Sequence, residues 1–145
     1  MLPEKCCNKT NATNIKVSDP RSTYAVFSNE ERHDFNLVKF DGCVVVNRVA
    51  CDWIVEKSAV GRVAVELKGC DVDHAAEQIA EALRYLRESG LNELPVAGLI
   101  VCSRYPRVDT KVQRLKQRLA RDFRAPLTVK TDGRGLVIER LLAFG

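Results

Sequence analysis

Three β-branched runs follow one another closely, "NLVKFDGCVVVN", "RVACDWIVEK" and "GRVAVELKG", separated only by polar or glycine-containing breaks. Short links between consecutive strands allow antiparallel pairing and leave no room for a crossover. The sequence therefore predicts an antiparallel meander of three strands. From Asp71 the period changes: Val72, Ala75, Ala76, Ile79, Leu83 and Leu86 recur at helical spacing. Asp71 or Asp73 can cap this helix, and Gly90 ends it. "PVAGLIVCSR" reads as a strand buried on both faces. A second helix, from Asp109 to Phe123, carries Val112, Leu115, Leu119 and Phe123 on one side, and "APLTVKTD" reads as a further strand. "GLVIERLLAF" fits either a strand or a short helix. Ahead of the meander, Ser28 and Glu31 in "SNEERHDFN" make a capping-box pattern for a short first helix.

The expected order is α-β-β-β-α-β-α-β, an α/β class with a central mixed β-sheet flanked by helices. Residues 1–21 show no periodicity and read as a flexible N-terminal arm, leaving residues 22–145 as a single domain. At 145 residues the chain can bury one core without a staple. No apolar run is long enough to cross a bilayer, and the N-terminus lacks a signal-peptide core, so the expected location is cytoplasmic. The six cysteines are accordingly expected to be thiols, with Cys43, Cys51 and Cys102 acting as small hydrophobes. Their spacings match no zinc or iron–sulfur ligand set. His33 and His74 read as surface residues, Asp41 as a turn residue beside Gly42, Trp53 as core, and Tyr85 as core or rim.

Net charge is a modest +4, but it is unevenly placed. Between Arg104 and Arg124 eight basic residues stand against two acidic ones, which is the footprint of a polyanion-binding face. Arg104, Arg107, Lys111, Arg114, Lys116, Arg118 and Arg121 are the candidate DNA-contacting residues. A solvated helix face is the plainer alternative.

"RVAVELKG" places Glu66 and Lys68 on the same face of a strand that otherwise belongs in a core. On the preceding strand Asp52 shares a face with Ala50 and Ile54. A hairpin through "KSAVGR" would bring Asp52 near Glu66 and Lys68. Two carboxylates that close repel one another unless a cation lies between them, and a hard, oxygen-seeking ion such as magnesium removes the conflict. A cross-strand ion pair is the alternative.

Asp52, then Glu66-Leu67-Lys68 fourteen residues on and a helix directly after, resembles the active-site signature of the PD-(D/E)XK nuclease superfamily, of restriction-endonuclease-like fold. The resemblance runs over residues 28–130, including the element order, although Cys51 stands where that signature has proline. It implies Mg²⁺- or Mn²⁺-dependent hydrolysis of phosphodiester bonds in DNA. Asp52 and Glu66 would be the metal ligands, Lys68 would lie beside the attacking water, and Gln78 on the following helix would complete the catalytic set. Glu30 is a candidate for an additional acid from the first helix. Cutting both strands of a duplex would favour a homodimer. The competing expectation is a binding module of the same fold that holds nucleic acid or a partner without chemistry.

Overall fold

The computed structural model describes residues 2–19, 23–67, 71–104 and 109–144. A six-stranded mixed sheet runs in the order β1 (Cys7–Thr10), β4 (Phe35–Lys39), β5 (Trp53–Lys57), β6 (Gly61–Leu67), β7 (Val96–Val101), β8 (Leu127–Lys130). The expected meander is β4-β5-β6, antiparallel throughout, with Trp53 opposite Val65 and Val55 opposite Val63. β7 and β8 add in parallel, each reached through a helix: α1 (Val72–Glu88) and α2 (Asp109–Phe123). Parallel neighbours need such crossovers, and the two helices share one apolar layer on one face of the sheet. The other face is covered by a hairpin of β2 (Asn14–Ser18) and β3 (Tyr24–Ser28) and by α3 (Ile138–Leu142). The architecture is α/β, a mixed central sheet flanked by three helices among the described residues.

β6 lies inside the sheet with both faces covered, and every one of its residues is buried. Val63, Val65 and Leu67 pack on the hairpin side, Ala64 on the helix side. Ala64 is in register with Gly98 of β7. This small pair lets α1 approach closely: a Cβ on Gly98 would lie 2.8 Å from the Ile79 methyl Cγ2 and 3.2 Å from Leu127. The sequence at α1 behaves as its period predicts. The Asp71 carboxylate accepts from the His74 N–H at 3.1 Å, and Gly90, at φ 73°, closes the far end.

Four expectations are corrected. Ser28 ends β3, and no first helix follows it. Asn29, buried, instead donates to the carbonyls of Ala12 and His33 and accepts from the His33 N–H, a local side-chain network that competes with helix formation. Residues 1–21 are not a loose arm throughout: β1 pairs with β4 at the sheet edge, and β2 forms half of the covering hairpin. The run "NLVKFDGCVVVN" is a strand only as far as Lys39, because Gly42, at φ 82°, and the bond from Val45 N–H to the Phe40 carbonyl fold the chain into a tight knot. Finally, Cys6 and Cys43 form a disulfide 37 residues apart in sequence, whereas Cys7 and Cys51 are free thiols. The tail of the chain, open between strand and helix in the sequence, is helix α3. No helix among the described residues is long and apolar enough to cross a membrane.

Two stability predictions follow from these contacts. Gly98→Ala forces a rigid β-branched methyl to move and should cost about 1–3 kcal/mol in chemical denaturation. Replacing both Cys6 and Cys43 with serine releases a long loop in the unfolded chain and should cost about 2–4 kcal/mol, read as a lower denaturation midpoint with a steeper slope, because the unlinked denatured chain exposes more surface.

Candidate functional site

Continuing the β5–β6 register one step beyond Trp53–Val65 sets Asp52 opposite Glu66. Both side chains leave water: Asp52 is 5% exposed and Glu66 0%. Each binds the other's strand. The Asp52 N–H donates to Glu66 Oε1 at 3.2 Å, and the Leu67 N–H donates to Asp52 Oδ2 at 2.9 Å. Glu66 alternates with Ala64 along β6, so its side chain leaves the sheet on the α1 face.

Burial pushes the Asp52 carboxyl above its ordinary value. The Leu67 N–H opposes that shift, the Asp19 charge adds to it, and a hydrogen bond with the Glu66 side chain and the Lys39 charge offset part of it. Two carboxyls in hydrogen-bond contact need either a shared proton or a cation between them, since two bare charges repel strongly in a desolvated site. The neighbouring Cys51 thiol is driven up by burial and then by Glu66 and Asp52, so it stays protonated. It donates to the Trp53 carbonyl at 3.3 Å.

Gln78 reaches the same place from α1. Its Nε2 donates to the Ala50 carbonyl at 3.1 Å, two residues before Asp52, while its buried Oε1 has no hydrogen-bond partner. An unsatisfied buried amide oxygen is costly and calls for a partner. Two carboxylates and an amide carbonyl are hard oxygen donors, the chemistry that suits magnesium or calcium rather than zinc. Among the described residues no group of three or more His, Cys, Asp or Glu side chains is placed to hold a metal ion. A site of two carboxylates fits magnesium in particular, which keeps several waters and takes substrate phosphate as a ligand.

The structure thus brings together three of the four residues singled out as catalytic: Asp52, Glu66 and Gln78. Lys68 lies outside the described residues, as does Arg107. Glu30 occupies a turn after β3, with no first helix to carry it. The basic face of α2 is partly engaged elsewhere. Lys111 pairs with Asp73 of α1 at 2.5 Å, Arg118 pairs with Glu77 of α1, and Arg121 pairs with Asp122 at 2.9 Å. Arg104 and Arg114, both exposed, and half-buried Lys116 carry no acidic partner among the described residues.

Asp19 and Lys39 were not visible as site residues in the sequence. Asp19 follows β2, and the Trp53 indole N–H, donating to the Ser18 carbonyl at 3.2 Å, ties that end of the hairpin to the start of β5. Lys39 extends over the Trp53 ring, 5.1 Å from its centroid. No motif spacing links either residue to Asp52; only the folding of the hairpin and β4 against β5 does.

No protein family matches the chain, and neither a curated protein nor a solved structure is significantly similar to it.

The raised value of Asp52 has a sign that can be measured. Its protonated form favours folding fully below the unfolded carboxyl pKa of about 3.9. That contribution is lost as pH rises through the higher folded-state value. In EDTA, Asp52→Asn should match wild type at acid pH and become the more thermostable protein toward neutral pH. Parallel melting curves from acid to neutral would remove desolvation as the cause.

Proposed function

We propose that the chain is a metal-dependent nuclease of restriction-endonuclease-like architecture, hydrolysing phosphodiester bonds in DNA with Mg²⁺, or Mn²⁺ in its place. The observation that supports this most is the meeting of two buried carboxylates from adjacent strands, with Gln78 of α1 bonded to the Ala50 carbonyl two residues before Asp52 and its own buried amide oxygen without a partner. A purely structural ion cluster does not need such an arrangement. Hydrophobic residues of the same size would stabilise the sheet at least as well.

In this reading Asp52 and Glu66 hold the metal, and the Leu67 and Asp52 N–H groups fix the two carboxylates in orientation. The bound ion would polarise the scissile phosphate and acidify a water ligand. Gln78 orients the site from α1, its amide held by the Ala50 carbonyl. Lys68, two positions beyond Glu66, is assigned to the attacking water and to the charge that builds on the phosphate in the transition state. Arg104, Arg114 and Lys116 supply phosphate contacts along the flanking strand, aided by Arg107, whereas Lys111, Arg118 and Arg121 must first exchange their acidic partners. Cleavage of both strands of a duplex would call for a second copy of the chain.

Incubation of circular and branched DNA with the purified protein tests the proposal. Cleavage is expected with Mg²⁺ or Mn²⁺ and not in EDTA. Lys68→Ala should remain folded and lose roughly 10²–10³-fold in rate, and Glu66→Gln should abolish the heat of magnesium binding in calorimetry. Full cleavage by Lys68→Ala would remove the mechanism. Salt-sensitive DNA binding that ignores EDTA, with no turnover under any metal, would assign the chain to the non-catalytic binding class.

A further inference from the structure

Four large apolar side chains are exposed among the described residues, and two of them, Val46 at 61% and Val49 at 50%, belong to one loop. The base of that loop is firmly held. The Gly42 N–H donates to the Val45 carbonyl at 2.9 Å, and the Val45 N–H donates to the Phe40 carbonyl at 3.1 Å. Val45 itself is buried in the helix-side core, and Cys43 is bonded to Cys6. The outgoing limb is held as well. The Ala50 carbonyl accepts from Gln78, the Cys51 carbonyl accepts from the Asp41 N–H at 3.1 Å, and Asp52 follows.

Between these fixed ends residues 46–49, Val-Asn-Arg-Val, all stand exposed, with Asn47 in the left-handed region at φ 57°. The run that looked like a continuous strand therefore buries Val45 and presents Val46 to solvent, and the next run begins with Val49 exposed as well. Arg48 gives the tip a positive charge that no ion pair among the described residues engages, the nearest acids along the chain being Asp41 and Asp52 at the two ends of the loop. An apolar pair flanking a cation on a prefixed tip loses little conformational entropy on binding.

We propose that residues 46–49 form a nucleic-acid contact beside the Asp52–Glu66 site, with Val46 and Val49 packing on sugars and base edges and Arg48 on a flanking phosphate. The inference rests on the nuclease reading and adds to it a substrate-positioning element. Two features select the occupant. The charge of the tip complements a polyanion, and the chain passes from Val49 to Asp52 in three residues, a span of at most about 10 Å, so an extended polyanion held by the tip is within reach of the Asp52 carboxylate. Apolar wedges flanked by cations are a recurrent way of engaging a duplex groove. The knot at residues 40–45 and the Cys6–Cys43 bond keep the tip in place.

The test is binding of a short labelled DNA duplex in EDTA across a salt series, followed by fluorescence anisotropy. The paired substitution Val46→Ser with Val49→Ser should raise Kd about tenfold with the salt slope unchanged. Arg48→Gln should lower the slope of log K against log salt by about one. Both proteins should melt and take up magnesium as wild type does, because the substituted side chains are exposed and leave the carboxylates untouched. Wild-type affinity and slope in both would overturn the tip assignment while leaving metal-dependent cleavage standing. A wild type that cleaves and binds no DNA under any condition would overturn the nuclease reading and the tip with it. Sedimentation that shows a wild-type dimer broken by the paired valine substitutions would assign the tip to a second copy of the chain and also overturn the proposal.

Discussion

Glu66 Oε1 receives the N–H of Asp52 at 3.2 Å inside a sheet whose two faces are both covered, and the Asp52 carboxylate returns the contact through the N–H of Leu67. Burying two acids this deeply costs several kcal/mol per charge unless hydrogen bonds, protons or a cation compensate. The backbone bonds supply part of that compensation and fix the direction in which both carboxyl groups point. The remaining imbalance is expressed as the raised Asp52 value. A divalent ion would answer it, and the partnerless Gln78 oxygen would gain a use from the same event.

Packing away from the site holds this arrangement in place. Ala64 and Gly98 form a shallow strip on the sheet, Ile79 settles against it, and α1 is thereby lowered far enough for Gln78 to reach the Ala50 carbonyl. Ion pairs from Lys111 and Arg118 to Asp73 and Glu77 bind α2 to α1 above the same region. These pairs show why a run of like charge on one helix need not be an open binding face. Acids on the neighbouring helix can claim part of it, and a nucleic acid would compete with them.

Elements with a clean period were legible in the sequence. The three-strand meander, α1 with its Asp71 cap, β7, α2 and β8 all follow from alternation, helical spacing and glycine or proline punctuation. The first helix failed because a capping-box pattern states only what Ser28 and Glu31 are able to do, while Asn29 makes three hydrogen bonds to the backbone of Ala12 and His33 in the adjoining loops. Within the N-terminal residues β1 is a four-residue edge strand too short to show a period, whereas β2 alternates exposed and buried residues over Asn14–Ser18, a two-residue period that was present in the sequence and that the expectation of a loose arm overlooked. The Cys6–Cys43 pairing had no sequence signal at all. It depends on β1 lying antiparallel beside β4, which carries Cys6 back toward the knot that follows Lys39.

The residues of the candidate site divide along the same line. Asp52 and Glu66 could be named from the sequence because strand alternation is a local rule, and a charged residue in an apolar run breaks it visibly; Gln78 could be named only through the resemblance to the nuclease signature. Tertiary structure alone decided that Asp19 and Lys39 act on Asp52, that three of the five basic residues of α2 are already paired with acids, and that Val46 and Val49 stand outside the core. Each of these outcomes depends on which elements pack together after long stretches of intervening chain. Coulomb forces and burial depend on distance in space, and sequence spacing reports that distance only within a single strand, helix or tight turn.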